Sequence, residues 1–217
     1  MTDFSAEREA MVERQLRRRG ITEPESIEAF RSVPREAFVS TKYEHLAYGD
    51  HPLPIEAGQT ISQPYIVALM IEAAEIKHGD KVLEVGSGSG YAAAVISRIA
   101  SKVIGIERQH DLVEVSRRRV AQLGYDNVEI VEGDGTRGAP DEAPFEAILA
   151  AASGSHVPKA LLDQLAPGGR LVMPVGSPGW VQKLVKVTKL EDGSLQQSDL
   201  GDVRFVPLIG EEGWKDA

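Results

Sequence analysis

Three carboxylates in this chain fall where a strand-like run gives way to a loop: Glu84 in VLEVGSGSGY, Glu107 in VIGIER and Asp134 in VEGDGT. Gly86, Gly88 and Gly90 follow Glu84, between that run and a helix-like one, and glycines there let a ligand approach the backbone. Their spacing is G-x-G-x-G, whereas a dinucleotide fingerprint is G-x-G-x-x-G, and a Gly-rich turn alone is a weak signal. The acid says more than the offset. A carboxylate two residues ahead of the first glycine repels a pyrophosphate at the helix N-terminus and attracts a ligand carrying ammonium and sulfonium charges. S-adenosylmethionine is therefore favoured over NAD. Glu107 could accept hydrogen bonds from both ribose hydroxyls, as an acid so placed also does in NAD enzymes, and Asp134 from the adenine amine. Each acid alone could equally be a helix cap or a solvated turn residue; three in register count against that plainer reading.

A second stretch, GQTISQPYIVA (Gly58 to Ala68), joins an amide, two hydroxyls and a proline to an apolar run and raises the question of what Ser62 does. The rest of the composition narrows the chemistry. With no cysteine there is no disulfide, thiol nucleophile or thiolate zinc site, which is compatible with the cytosol. His45, His51, His78, His110 and His156 show neither HxxxH nor HExxH spacing, so no metal is expected, and no Ser/His/Asp arrangement is evident. The net charge of −9 opposes binding to nucleic acid, and the basic runs RQLRRRG and SRRRV read as solvated helix faces. No apolar run reaches the length of a membrane span, and the start MTDFSAEREA lacks the features of a secretory signal, so a cytoplasmic protein without a membrane partner is expected.

The elements that must position these groups follow from periodicity. The chain of 217 residues fits one domain with a small extension. Met11, Val12 and Leu16 predict a helix over Phe4–Arg19 ended by Gly20; Thr22 with Glu25 resembles a capping box for a second helix carrying Ile27, Phe30 and Val33. Residues 34–64 read as a packed, turn-rich loop, and YIVALMIEAAEI as a buried helix. Strands at Lys81–Val85, Val103–Ile106, Val128–Val131, Ala147–Ala151 and Arg170–Pro174 alternate with helices at Tyr91–Ala100, Asp111–Leu123 and Val157–Leu165, which predicts parallel βαβ units. WVQKLVKVTKL and DVRFVPLIG, on either side of an EDGS turn, predict antiparallel strands at the sheet edge. A single domain then comprises an extension over 1–64, a cofactor-binding core over 65–176 and edge strands over 177–217.

From about Met11 to Gly210 the chain resembles the protein-L-isoaspartate (D-aspartate) O-methyltransferases, through MVERQLRRRGI, VPREAFV, AYGDHPLPIEAGQTISQPYIVALM, VLEVGSGSGYAAAV, GDGTRG, PKALLDQLAPGGRLVMPVG and VRFVPL. The resemblance implies an α/β fold: a Rossmann-like class I methyltransferase with a mostly parallel seven-stranded sheet, helices on both faces and an N-terminal helical extension. It implies transfer of a methyl group from S-adenosyl-L-methionine to the α-carboxylate of L-isoaspartyl residues in damaged proteins, leaving S-adenosyl-L-homocysteine. The ester closes to a succinimide whose hydrolysis returns some aspartate, so the role is protein repair, and the expected state is a monomer. By the same resemblance Ser62 is the active-site serine, Gln59, Thr60 and Ile61 line the junction of cofactor and substrate with it, Gly86, Ser87, Gly88, Glu107, Asp134 and Gly135 contact the cofactor, and the VRFVPL strand walls the peptide cleft. The chain departs from the family pattern at Glu146, where aspartate is expected, and in the loop Ala152–Pro158.

An acceptor carboxylate gives Ser62 a physical role. With a pKa of about 4 the acceptor is already ionised at neutral pH, and its charge cancels that of the sulfonium during transfer. A dry site that aligns oxygen, methyl carbon and sulfur supplies most of what is needed, so Ser62 is read as orienting the carboxylate rather than attacking; capping the following helix is its other reading. Rival classes are an NAD-dependent oxidoreductase, a non-catalytic cofactor-binding domain, and a methyltransferase acting on RNA or another acceptor.

Overall fold

The computed structural model describes residues 3–215. Its centre is a seven-stranded sheet in the order β5-β4-β3-β6-β7-β8-β9, built from β3 (Lys81–Val85), β4 (Lys102–Glu107), β5 (Val128–Glu132), β6 (Phe145–Ala150), β7 (Leu165–Val175), β8 (Gln182–Lys189) and β9 (Leu195–Val203). β5 through β7 are parallel, and β8 and β9 continue the sheet antiparallel. Alternation along the central strands divides the core in two. Val82, Val103, Ala147 and Val172 face one layer; Leu83, Ile104, Ile148 and Leu171 face the other.

The first layer holds α1 (Ser5–Met11), α2 (Pro24–Ser32), α3 (Pro64–Ala73), α4 (Tyr91–Ser97) and α5 (His110–Gln122), and α6 (Lys159–Asp163) packs on the second. Right-handed crossovers explain this: β3-α4-β4 and β4-α5-β5 step one way from the centre, while the return through β6 and α6 steps the other. The strand order therefore reverses between β3 and β6, and a crevice opens outside the carboxyl ends of these two strands.

Several local expectations are corrected. The first helix changes type: α1 passes into a π-helical run at Val12–Leu16 and a 3-10 turn at Arg17–Arg19 before Gly20 at φ 95°. The wider turn keeps Met11 and Leu16, five residues apart, buried on one face. Thr22 forms no capping box. Pro24 preorganises the first turn of α2 after Glu23, and the Thr22 N–H and hydroxyl donate to the Glu72 carboxylate on α3 at 3.1 and 3.2 Å. The expected loop contains a small hairpin, β1 (Leu53–Pro54) with β2 (Thr60–Ile61). Glu146 accepts the Lys81 N–H at 2.8 Å, tying the start of β3 to β6.

The last strand is Leu195–Val203 rather than the DVRFVPLIG run. The turn sets this register, with the Leu190 N–H donating to Ser194 at 2.8 Å and Lys189 opposite Leu195, so the ladder runs out where Gln182 meets Val203. β9 is an edge strand exposed along most of its length, which is why LQQSDLGDV carries no hydrophobic alternation. Residues after Val203 leave the sheet and cross its carboxyl end.

Candidate active site

At the end of β3 the chain turns through Gly86, Gly88 and Gly90 with φ of 84°, 52° and 86°, left-handed values that side-chain-bearing residues rarely adopt. The G-x-G-x-G spacing is thus the record of three backbone inversions, which bring the turn's N–H groups to the start of α4. Glu107, at the end of β4, holds this turn in place. Its carboxylate accepts from the Gly88 N–H at 3.0 Å and from the Arg108 and Gln109 N–H groups at 2.8 and 2.9 Å.

Glu84 lies beneath the turn, 2% exposed, and its Oε2 has no hydrogen-bond partner. Burial, reinforced by the neighbouring negative charge of Glu107, pushes its carboxyl up to about 8. An acid in this state is stabilised by a cation that enters the cavity. The ammonium of S-adenosylmethionine supplies one, so the orphaned oxygen fits this cofactor on grounds independent of the motif. Gly135 adds close packing: a Cβ there would stand 2.5 Å from Val85 Cγ1.

The opposite wall comes from the β1–β2 hairpin and the residues behind it. Gly58, Gln59, Thr60, Ile61 and Ser62 line the same cavity as Glu84, Gly86, Ser87, Gly88, Glu107 and Gly135. Of the active-site and cofactor residues expected from the sequence, Asp134 lies outside the lining, as do Val203 and Arg204 of the expected VRFVPL wall. Asp134 Oδ1 accepts from the Thr136 N–H and hydroxyl at 2.9 and 2.7 Å, and its Oδ2 from the Glu211 N–H at 2.8 Å. Asp134 thus caps a 3-10 turn and anchors the C-terminal segment. Desolvation raises its pKa, and the hydrogen bonds from Glu211 and Thr136 more than offset this, leaving the carboxyl below its ordinary value.

Ser62 precedes α3 but does not cap it: Gln63 is the capping position and no side chain bonds the first turn. What fixes Ser62 is Arg35, which sequence reasoning missed. Arg35 is fully buried; its Nε donates to Ala47 O at 2.7 Å, its Nη2 to Ser62 O at 2.8 Å, and its guanidinium lies 4.8 Å from the centre of the Tyr91 ring. Burial without a carboxylate at hand lowers its pKa, and Tyr91 opposes that shift. Nothing in VPREAFV distinguishes this arginine from a surface one.

The cavity is closed by Phe205–Ile209, the segment expected to be a strand. It crosses the carboxyl ends of the strands instead. Phe205 is held beside β8, Val206 O accepts the Ser153 N–H just past β6 at 2.8 Å, and Glu211 reaches Asp134 beyond β5. Ser153 and Trp214 complete the closure, the indole N–H donating to Ser153 O at 2.9 Å. Ser153 belongs to the loop that departs from the family pattern, and its backbone serves as the bridge for the closing segment.

Comparison with known proteins supplies the deciding observation. Residues 6–213 match the family model described as protein-L-isoaspartate(D-aspartate) O-methyltransferase. The chain belongs to this family. It is 54% identical to protein-L-isoaspartate O-methyltransferase 2 of Pelobacter propionicus, over 95% of this chain and 92% of that one. It is 51% identical to the protein-L-isoaspartate O-methyltransferase of Methanoculleus marisnigri, over 96% and 94%. Among solved structures, one protein-L-isoaspartate O-methyltransferase superposes with a TM-score of 0.85 at 31% identity, over 94% of this chain and 66% of that longer one. A protein from Plasmodium falciparum described as a putative protein-L-isoaspartate O-methyltransferase, in complex with S-adenosyl-L-homocysteine, superposes with a TM-score of 0.80 at 29% identity over 96% and 99%. The family assignment and the cavity's two buried acids therefore point to one cofactor.

Proposed function

We infer that this enzyme transfers a methyl group from S-adenosylmethionine to the α-carboxylate of L-isoaspartyl residues in damaged proteins and peptides. The observation that carries the reading is the union in one cavity of the Glu84–Gly88 turn and the Gln59–Ser62 strip, in a chain of this family. Bound S-adenosylmethionine supplies an electrophilic methyl group.

The protein's own residues bind, orient and exclude water. Glu84 would hold the cofactor's ammonium and Glu107 its ribose hydroxyls, and Gly86, Ser87, Gly88 and Gly135 would leave room for it against the backbone; all six line the cavity. Gln59, Thr60 and Ile61 form the boundary between cofactor and acceptor, and Ser62 hydrogen-bonds the acceptor carboxylate. None of the five histidines lines the cavity, in keeping with an acceptor that is ionised at neutral pH and needs no base. Asp134 acts on the cofactor through the segment it anchors.

We further read the enzyme as a monomer that works in the cytoplasm on protein rather than nucleic acid, without a metal. The charge of −9 supports this choice of partner. Among the described residues, no helix is long and apolar enough to cross a membrane, and no cluster of three or more ligating side chains could hold a metal. The test is incubation with labelled S-adenosylmethionine and a matched pair of isoaspartyl and aspartyl peptides. Label is expected in the isoaspartyl peptide alone; equal labelling, or none, would sink the reading.

A further inference from the structure

The closing segment Phe205–Ile209 has two ends with different neighbours, and the sheet order assigns them different work. Just past one end the Glu211 N–H donates to Asp134 beyond β5, next to β4 and Glu107, where the proposed function puts the cofactor's ribose. At the other the segment meets β8. Ser62 and Phe205 line the same cavity. The acceptor that Ser62 orients in the proposed function therefore meets the wall that Phe205 begins.

On that side Phe205 falls between two backbone pairings: β9 has ended at Val203, and Ser153 takes over only from Val206, its N–H donating to Val206 O and its carbonyl accepting the Leu208 N–H, both at 2.8 Å. The ladder is continued by a side chain. Gln182, at the start of β8 and 1% exposed, accepts the Phe205 N–H at Oε1, 2.8 Å away, and donates from Nε2 to Phe205 O at 3.4 Å. A carboxamide carries one acceptor and a pair of donors, so it can present to Phe205 the complement that a neighbouring strand would present. A second Nε2 bond, to Ser177 O at 3.3 Å, fixes the amide's orientation and ties it to the turn before β8.

We propose that Gln182 is a positioning residue for the acceptor: its amide stands in for a missing strand, holds the Phe205 peptide against β8, and sets the shape of the wall that receives the isoaspartyl peptide. The inference rests on the function proposed above and goes beyond it. A side chain without both a donor and an acceptor at this reach frees the Phe205 peptide between Val203 and the Ser153 anchor at Val206, while the Asp134 end stays held. The loss therefore falls on peptide affinity and spares the cofactor.

The experiment compares the wild-type enzyme with Gln182→Leu, which removes all three bonds, and Gln182→Glu, which keeps the acceptor for the Phe205 N–H and loses the donors. KM for an isoaspartyl peptide is expected to rise about tenfold in both, with kcat reduced no more than about threefold and the S-adenosylhomocysteine Kd changed less than about twofold. Amide exchange at Phe205 should quicken in Gln182→Leu, which removes its acceptor, while exchange at Glu211 is unchanged. Should Gln182→Leu fail to fold, the KM and cofactor affinity of Gln182→Glu carry the test alone. Unchanged KM, unchanged exchange at Phe205 in Gln182→Leu, or cofactor affinity falling in step with peptide affinity would each overturn the proposal. A wild-type enzyme that leaves isoaspartyl peptide unmethylated would defeat the functional reading instead, and the exchange measurement would still report whether Gln182 holds the wall.

Discussion

The guanidinium of Arg35, wholly inside the protein, donates to the carbonyl of Ser62 at 2.8 Å across 27 residues of sequence. Ser62, the serine proposed to orient the acceptor, is thus held through its backbone where it lines the cavity. Arg35→Lys keeps a charge but cannot span Ala47 O and Ser62 O with a planar fork, so kcat is expected to fall about tenfold with S-adenosylhomocysteine affinity unchanged. Arg35→Met leaves the buried Ala47 carbonyl and the part-buried Ser62 carbonyl without their donor, and should cost about 2–4 kcal/mol of stability by denaturant titration. Wild-type kcat in Arg35→Lys would count against this account.

Ser62→Ala tests the other side of the same contact. Losing one orienting hydrogen bond should lower turnover by about 10²-fold or less and leave the fold and cofactor affinity in place. Methyl or peptide found covalently attached to Ser62 by mass spectrometry would replace positioning with nucleophilic attack.

Glu84 predicts a proton linkage. Its folded carboxyl, raised to about 8, is protonated at neutral pH, while a cationic ligand favours the ionised form. Binding of S-adenosylhomocysteine near pH 6.5 should therefore release about one proton, and affinity should climb toward a plateau above about pH 8. Calorimetry in buffers of different ionisation enthalpy measures this release directly, and Glu84→Gln should abolish it. For the ligand-free protein the sign is opposite: Glu84's contribution to stability is fully present below the unfolded value of about 4.5 and is lost as pH rises through about 8. Glu84→Gln should accordingly be more stable than wild type at pH 9.

The chemical step should be nearly independent of pH once cofactor is saturating. No histidine borders the cavity, and the acceptor carboxylate titrates near pH 4. Single-turnover rates should stay level from about pH 6 to 8. A tenfold fall per pH unit between 5.5 and 6.5 that vanished in one histidine variant would identify a base and overturn the mechanism.

Asp134→Ala should release the nucleoside end of the closing segment. The three hydrogen bonds to Thr136 and Glu211 are lost together, at a cost of about 2 kcal/mol in stability. The Asp134 carboxyl is held below its ordinary value in the folded state, so its contribution is present above about pH 3.8 and lost as pH falls through the folded value. Cofactor affinity should weaken in Asp134→Ala while peptide KM at saturating cofactor holds, the reverse of the pattern for Gln182. Equal effects of both variants on both ligands would mean that the segment moves as one rigid piece.

The sequence by itself determined the parts whose physics is local. Strand and helix alternation fixed the parallel core, left-handed turns demanded Gly86, Gly88 and Gly90, and a carboxylate just ahead of them already argued for a cationic ligand. The strand-end position of Glu107, and the family resemblance carried by GQTISQPYIVA for Gln59–Ser62, already named residues that the cavity brings together. What only the tertiary structure decided are contacts between residues far apart in the chain. Arg35 reaches Ser62 over 27 positions, Gln182 reaches Phe205 over 23, and Glu211 reaches Asp134 over 77. Such pairs leave no periodic trace, because a buried arginine or glutamine is placed by its partners rather than by its neighbours. The same reason explains the last strand. LQQSDLGDV is polar because it lies at an exposed edge, and it is a strand because β8 offers it a ladder, whereas the more apolar RFVPL leaves the sheet to close the cavity.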